Sequence, residues 1–254
     1  MTSTASIEIS GVSHTFPGGV RAVENANIQI QAGEFVSIVG PSGCGKTTLL
    51  NLLAGLIELH VGKLLVAGSP PQAGRFDVAY MLARDCLYPW RTALDNVMLA
   101  GEFRGVAKAK RVQRARDLLA RVGLQGFESH FPKALSHGMR QRVALARTFS
   151  MTSPVLLMDE PFGALDAQTK LQLEEVLLNL WSEEKRTVVF ITHDLSEAVS
   201  MSDRVIVMSA RPGRILADIR IPLVRPRSVR ALQKDLEFHK IYSQVWEWLE
   251  QATR

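Results

Sequence analysis

The nine residues 40–48 constrain the fold more than any other part of the sequence. They read Gly-Pro-Ser-Gly-Cys-Gly-Lys-Thr-Thr and match the pattern G-x-x-x-x-G-K-[ST]. The apolar stretch 34–39 before them predicts a buried strand, and residues 47–56 after them predict a helix. Backbone N–H groups of such a loop converge on phosphate oxygens, assisted by the positive end of the helix dipole. The sequence therefore predicts a phosphate-binding loop between a strand and a helix.

The residue types in this loop suit a nucleotide. Glycines let the backbone approach the ligand closely, Lys46 would reach the β- and γ-phosphates, and the Thr47 hydroxyl would hold Mg²⁺. The candidate nucleotide-binding residues are Gly40, Pro41, Ser42, Gly43, Cys44, Gly45, Lys46, Thr47 and Thr48.

Two acidic residues follow a second short apolar strand. Ligands of open α/β sheets bind beyond the carboxyl ends of the strands, where Asp159 and Glu160 are expected to lie. Asp159 would support Mg²⁺, and Glu160 would polarise the attacking water as a general base. His193 follows a third strand and is a candidate contact to the γ-phosphate. Glu160, His193 and Lys46 are the predicted catalytic residues.

Short apolar strands alternate with amphipathic helices along the chain. This alternation favours an α/β fold whose mostly parallel sheet is covered on both faces. Strands are predicted at residues 34–39, 155–158, 187–191 and 204–208, and helices at 47–56, 108–122, 171–181 and from Ser228 onward. No apolar run approaches the roughly 18 residues of a membrane span. The first residues lack the order of a secretory signal, and the two cysteines form no CxxC pair, so a cytosolic protein is expected.

A second anion-binding helix start is predicted within residues 135–142, Leu-Ser-His-Gly-Met-Arg-Gln-Arg. Ser136 is suited to cap the amino end of the following helix, so its hydroxyl and nearby N–H groups would face an anion. Because the chain already has one complete phosphate loop, a second such start favours a phosphate held between two chains. Taken alone, these residues also fit an ordinary capped helix.

Together these motifs resemble those of the ATP-binding cassette (ABC) ATPases over essentially the whole chain. The order is the family's: phosphate loop, signature at 135–139, the Asp-Glu strand end, the Leu-Asp loop at 163–166 and the switch histidine. The resemblance implies a P-loop NTPase with a mostly parallel core sheet, an N-terminal antiparallel β region and an α-helical subdomain inserted at about residues 85–152. It also implies an ATPase domain over residues 1–230 and a C-terminal helical tail over 231–254.

The resemblance assigns further residues to the nucleotide. Phe16 falls where an aromatic ring stacks on adenine. Two protomers of the family pack head to tail around two ATP molecules, so Ser136, His137 and Gly138 of one protomer would contact the nucleotide of the other. Asp166 would cross the same interface. The implied ligands are ATP and Mg²⁺, and the implied assembly is a homodimer that closes on ATP and reopens after hydrolysis.

Residues 87–97 and 209–215 resemble a branch of bacterial importers for nitrate, sulfonates, taurine, bicarbonate and related solutes. This resemblance implies an ATPase attached peripherally to the cytoplasmic face of the inner membrane. Its partners would be integral permease subunits and, indirectly, a solute-binding protein. Tyr88, Pro89 and Trp90 would line the groove that receives a coupling helix of the permease. The transported solute does not follow, because the ATPase subunit does not touch it.

Two other functions share part of the pattern. An exporter ATPase has the same catalytic motifs, and only the branch-like segments argue against it. A soluble ABC protein acting on nucleic acid would use the positive charge, which is +5 overall and +6 in each of residues 104–121 and 204–230. The arginines of the first stretch lie opposite an apolar stripe, as on a solvated helix face. Neither stretch is an aromatic-rich base-stacking surface, so no nucleic-acid partner is expected.

Two positions depart from the family pattern. Ala83 stands where the family usually has a glutamine that reaches Mg²⁺ and the attacking water, and it belongs with the expected membrane-coupling residues. Either Arg84 or Asp85 substitutes for the glutamine, or the metal does without that ligand; weaker coupling of metal binding to the membrane subunits is expected. His137 replaces the first signature glycine. It either adds charge near phosphate below about pH 6.5 or is a plain exposed side chain.

Overall fold

Two sheets and eight helices form the protein in a computed structural model that describes residues 5–163 and 165–253. The strands are β1 Ala5–Thr15, β2 Arg21–Gln31, β3 Phe35–Val39, β4 Val61–Val66, β5 Val78–Met81, β6 Val155–Asp159, β7 Thr187–Ile191, β8 Arg204–Met208 and β9 Ile215–Arg220. The helices are α1 Lys46–Leu53, α2 Ala93–Phe103, α3 Lys108–Arg121, α4 His137–Ser150, α5 Ala167–Glu184, α6 Leu195–Met201, α7 Val229–Leu232 and α8 Leu236–Ala252.

The core sheet has the strand order β5-β6-β7-β3-β8-β9. Its first five strands are parallel, and β9 is antiparallel to β8 at the edge. Every residue of β3, β6 and β7 is buried because helices or the second sheet cover both faces. The predicted α/β class with a mostly parallel sheet is confirmed. Since parallel strands end at the same edge, the loops after β3, β6 and β7 meet there.

The second sheet is antiparallel, in the order β2-β1-β4. Helix α1 lies between it and the core sheet, and apolar residues of both sheets bury its leucines. The N-terminal antiparallel β region that the resemblance implied is therefore present. It holds Phe16, at the end of β1, near the loop that begins α1.

Helices α2, α3 and α4 lie between β5 and β6 in the chain and form a helical region beside the core sheet. Their apolar sides pack with α5 and with one face of the sheet around Phe149, Phe162 and Trp181. The domain limits given above stay predictions.

Three helix predictions were wrong at their ends. The helix predicted at 171–181 extends over Ala167–Glu184, because the Asp166 carboxylate caps it four residues earlier. The helix after the phosphate loop stops at Leu53 because Gly55 adopts a left-handed φ of 68°. The Leu56 N–H then bonds to the Asn51 carbonyl at 2.9 Å, which closes the helix end. The single helix expected from Ser228 is instead two helices, because the Asp235 carboxylate accepts bonds from the first turn of α8 and starts a new one.

Three arginines of the basic stretch 204–230 form ion pairs or hydrogen bonds within the fold. Arg204 bonds to Glu34 and Asp218, and Arg225 bonds to Asp203 while its guanidinium stacks 4.2 Å from the Trp181 ring. Arg227 is 9% exposed and donates to the backbone carbonyls of residues 200, 202, 221 and 223. These arginines join the end of the core sheet to the segment that follows it.

Among the described residues, no helix is both long enough and apolar enough to cross a membrane.

Candidate active site

The phosphate loop joins β3 to α1 and is shaped by close backbone contacts. Gly45 has a left-handed φ of 106°, and a Cβ atom there would lie 2.5 Å from the Ala22 carbonyl oxygen, so only glycine fits. Lys46 is buried, and its Nζ donates to the carbonyls of Gly40 and Pro41 at 2.8 and 3.0 Å. No side chain caps α1 and no acid lies in its first turn. The N–H groups and the lysine therefore present a positive pole to an anion.

Asp159 and Thr47 form a pair of oxygen donors beside this loop. The Thr47 Oγ1 donates to the Asp159 Oδ1 at 3.3 Å. Burial raises the pKa of Asp159, while the bond from Thr47 and the charge of Lys46 oppose that rise. Hydroxyl and carboxylate oxygens are the ligands that Mg²⁺ prefers, and this ion usually takes its other ligands from water and substrate phosphates. The two side chains therefore fit a magnesium ion shared with a nucleotide.

Glu160 follows Asp159 directly but points elsewhere. Its φ of 46° is left-handed, which is unfavourable by on the order of 1 kcal/mol for a residue with a side chain. Its N–H donates to the Ile191 carbonyl at 2.9 Å, which fixes the turn against β7. The carboxylate Oε2 then lies 3.2 Å from the Nδ1 of His193. The structure thus brings together the three predicted catalytic side chains around one loop.

One cavity of about 220 Å³ lies against the phosphate loop and Glu160, whereas Asp159 and His193 are not part of its lining. Its lining residues are Phe16, Val20, Ala22, Ser42, Gly43, Gly45, Lys46, Thr47, Thr48, Glu160 and Arg211. The Phe16 ring is 38% exposed, and His14 packs edge-on against it at 4.7 Å. An exposed aromatic face at one end and a cationic loop at the other match a ligand with a flat base and a polyphosphate. Sequence reasoning missed Arg211 here, although the segment that contains it was noted.

The signature residues lie at the start of α4. Ser136 caps this helix as predicted, its Oγ accepting from the Met139 N–H at 3.2 Å. A Cβ on Gly138 would lie 2.9 Å from the Thr169 Cγ2, so the start of α4 touches the first turn of α5. Asp166 caps α5, and its bonds with Thr169 lower the pKa of its carboxyl.

These helix starts are separate from the cavity within one chain. Ser136, His137, Gly138 and Asp166 are all absent from its lining. The His137 Nδ1 lies 3.3 Å from the Arg140 Nη2, close to the protein's own surface. Ala164, between the acids and Asp166, lies outside the described residues. Within one chain, the starts of α4 and α5 therefore do not form part of the cavity at the phosphate loop.

Helix α4 holds the segment that contains Ala83. The Gln141 side chain donates to the Ala83 carbonyl at 3.3 Å, and Arg140 bonds to the Asp85 carboxylate at 2.9 Å. Arg147 donates to the carbonyls of Asp85 and Cys86, both at 2.7 Å. The Asp85 side chain is thus already engaged by a cation on α4.

An aromatic pair protrudes beyond this segment. Tyr88 and Trp90 are 38% and 69% exposed, and their ring centres are 5.3 Å apart. Buried Asn96 bonds to the backbone on both sides of them and fixes the turn that also contains Pro89. A rigid, exposed aromatic turn of this kind is suited to contact another protein.

A buried charged cluster beside His193 was also missed. Lys170 of α5 lies 3.0 Å from both Asp194 and Glu197, and the Thr192 hydroxyl donates to Glu197 at 2.6 Å. Glu174, 2% exposed, lies against the same group. Lys170 and Glu174 lie on α5, whereas Thr192, Asp194 and Glu197 lie after β7. The only signal of this cluster in the sequence is the i,i+4 spacing of Lys170 and Glu174.

A strand–phosphate-loop–helix unit with an acid pair at the carboxyl end of β6 defines a P-loop nucleoside triphosphatase. Comparison with known proteins narrows this class: residues 23–163 match the family model described as ABC transporter. The chain belongs to the ABC transporter family, and it is an ATP-binding subunit that hydrolyses ATP to energise transport.

Several relatives align over most of the chain. An uncharacterised ABC transporter ATP-binding protein of Methanocaldococcus jannaschii is 46% identical over 87% of this chain and 82% of its own length. The taurine import ATP-binding protein of Escherichia coli is 40% identical over 89% of this chain and 91% of its own. A solved ATP-binding cassette, a dimer in a post-hydrolysis state bound to ADP and Pi, is 31% identical with a TM-score of 0.76. That match covers 86% of this chain and all of the cassette.

Proposed function

We propose that this chain is the ATPase subunit of an importer for a small solute of the nitrate, sulfonate, taurine or bicarbonate kind. The observation that supports the importer branch most directly is the 40% identity to a taurine import ATP-binding protein over nearly its full length. A different chain contacts the solute. The 40% sequence identity therefore supports the importer branch and does not identify the solute. The subunit works from the cytoplasmic face of the inner membrane, attached through permease subunits.

In the proposed mechanism different residues of the chain contact the base, the phosphates and the metal of one ATP. Phe16 stacks on adenine, the N–H groups of residues 40–48 and Lys46 hold the phosphates, and Thr47 with Asp159 holds Mg²⁺. Mg²⁺ bound there supplies positive charge that offsets the phosphate oxygens. Glu160 accepts the proton of the attacking water, and His193, 3.2 Å from that carboxylate, contacts the γ-phosphate side.

The second half of the site comes from a second copy of the chain. The exposed starts of α4 and α5 carry Ser136, His137, Gly138 and Asp166, which complete the nucleotide site of the partner protomer. The separation of these helix starts from the cavity within one chain supports this assignment, as does the dimeric state of the related cassette bound to ADP and Pi.

The variant Glu160→Gln tests the catalytic assignment. Loss of a general base lowers turnover by about 100-fold or more, while ATP binding is retained because the phosphate loop is intact. The variant is also expected to accumulate as an ATP-bound dimer on size exclusion. Glu250→Gln, an exposed carboxylate on α8, is the matched control. Turnover of Glu160→Gln at the wild-type rate would remove Glu160 from the mechanism.

Lys46→Ala tests the phosphate loop. The ammonium is expected to exchange its two loop carbonyls for phosphate oxygens, so its removal lowers ATP affinity by at least tenfold. Titration with ATP by calorimetry measures this. Normal affinity would contradict the loop assignment.

The permease contact is tested at the aromatic turn. Trp90→Ala is expected to weaken co-purification with the permease subunits and to leave ATP affinity unchanged, because Trp90 lies outside the cavity lining. Trp246→Ala, on the exposed side of α8, is the control for loss of a tryptophan. Equal assembly of both variants would count against the docking role. The solute is then identified by mass spectrometry of the solute-binding protein that co-purifies with the complex.

A further inference from the structure

The loop between β8 and β9 places an arginine at the nucleotide cavity. Arg211 lines this cavity together with Phe16, Lys46 and Glu160. Its Nε and Nη2 both donate to the Gly43 carbonyl, at 3.2 and 3.1 Å. The guanidinium therefore lies against the phosphate loop from outside α1, on a different element from Lys46.

The charge of Arg211 has no acidic partner among the described parts of the chain. By contrast, Arg204 and Arg225 bond to carboxylates, and Arg227 bonds to several buried carbonyls. Arg214, three residues away, pairs with Glu24. Arg211 uses two of its five N–H donors on a single neutral carbonyl and stays exposed at the cavity wall. A guanidinium in this state is available to an anion.

The loop that carries Arg211 is held rigidly. The Gly213 N–H donates to the Ala22 carbonyl, and the Glu24 N–H donates to the Gly213 carbonyl, both at 2.9 Å. Gly213 packs so closely on the Cys44 carbonyl that no side chain fits there. The Ala210 N–H bonds to the Ala252 carbonyl at the end of α8, also at 2.9 Å. Arg211 is therefore pre-positioned by the strand, the phosphate loop and the last helix at once.

We propose that Arg211 is a further nucleotide-binding residue, which contacts the polyphosphate in addition to Lys46. Guanidinium groups bind phosphate oxygens through two parallel hydrogen bonds. The two Nη1 N–H groups and the second Nη2 N–H of Arg211 are not used in its bonds to Gly43 and can serve for this. The proposal builds on the nucleotide placement proposed above, which assigns adenine to Phe16 and the phosphates to residues 40–48. It adds a contact that the phosphate-loop motif does not contain.

Binding of ATP, ADP and adenosine to the full chain tests this role. Arg211→Ala is expected to weaken ATP and ADP binding by about tenfold, equivalent to about 1.4 kcal/mol, and to leave adenosine binding unchanged. The loss shrinks as salt concentration rises, because the missing contact is ionic. Arg211→Lys keeps the charge without the planar fork and recovers part of the affinity; it also serves if the alanine variant does not fold. Arg214→Ala, on the same loop but paired with Glu24, should bind all three ligands normally.

Three results would overturn the proposal. ATP affinity within twofold of wild type in a folded Arg211→Ala protein would remove the contact. Equal losses for ATP and adenosine would indicate a base contact or a general brace of the loop. A tenfold loss in Arg214→Ala would assign the effect to loop integrity. Lys46→Ala measured in the same series keeps the two proposals apart: loss there, with none in Arg211→Ala, retains the nucleotide site and rejects Arg211 alone.

Discussion

Glu174 provides a sharp test of the buried cluster beside His193. This side chain is 2% exposed, and burial together with Glu197 and Asp194 raises its pKa from 4.5 to about 8. At pH 7 the folded protein therefore keeps Glu174 protonated, whereas the unfolded chain carries it ionised. The free energy of unfolding is lowered by about 1.4 kcal/mol for each pH unit above 4.5, which gives about 3 kcal/mol at pH 7.

The variant Glu174→Gln removes this titration with little change of shape. Because the folded-state pKa is raised, the stability from the protonated group is complete below pH 4.5 and is lost as pH rises toward 8. Wild type and variant should thus be similar near pH 5, and the variant should be more stable by about 3 kcal/mol at pH 7. For a chain of this size that difference raises the melting temperature by about 6 °C or more.

Chemical denaturation at pH 5, 6, 7 and 8 measures the effect, with exposed Glu247→Gln as control. The stability difference between Glu174→Gln and wild type should widen up to pH 8 and then level off. A difference that does not change between pH 5 and pH 8 would refute the raised pKa and the reasoning built on it.

Three further outcomes follow from the geometry. Lys170→Gln leaves buried Glu197 without its cation and should lower stability by about 3 kcal/mol. Adding Glu174→Gln should recover part of this in denaturation experiments, and full additivity would contradict the contact. Alkylating reagents should modify exposed Cys86 well before Cys44, which is 1% exposed, as peptide mass spectrometry can follow. Bound ATP should slow only the Cys44 reaction, and equal rates at both thiols would contradict the burial. Ala83→Gln should strengthen the Mg²⁺ dependence of ATPase activity in the assembled transporter; an unchanged rate and Mg²⁺ dependence would refute the weaker coupling.

The parts of the fold that were predictable are those in which local sequence and burial agree. Strands β3, β6, β7 and β8 are covered on both faces, so each appears as a short and mostly apolar run. The phosphate loop was predictable because its spacing follows from how a backbone surrounds phosphate. Ser136 was recognised as a cap from residue type and position alone.

The parts that were missed have two causes: local signals that end or start a helix, and contacts between residues that are distant in sequence. Helix α1 ends early because of the left-handed Gly55, and the break before α8 depends on the Asp235 cap. Net charge gave no indication that Arg227 would be buried among carbonyls from two segments. The approach of Arg211 to Gly43 spans 168 positions, and no periodicity or motif in one sequence encodes it.

The hydrogen bond from the Ala210 N–H to the Ala252 carbonyl affects how the protein can be tagged or labelled. It puts the last turn of α8 one residue from the arginine at the cavity wall. A purification tag or fluorescent protein fused directly after α8 would be attached close to that loop, so ligand affinities are best measured on the untagged chain. The same closeness makes the end of α8 a useful place for a small reporter dye. A movement of Arg211 on ligand binding would reach the dye through the hydrogen bond between Ala210 and Ala252.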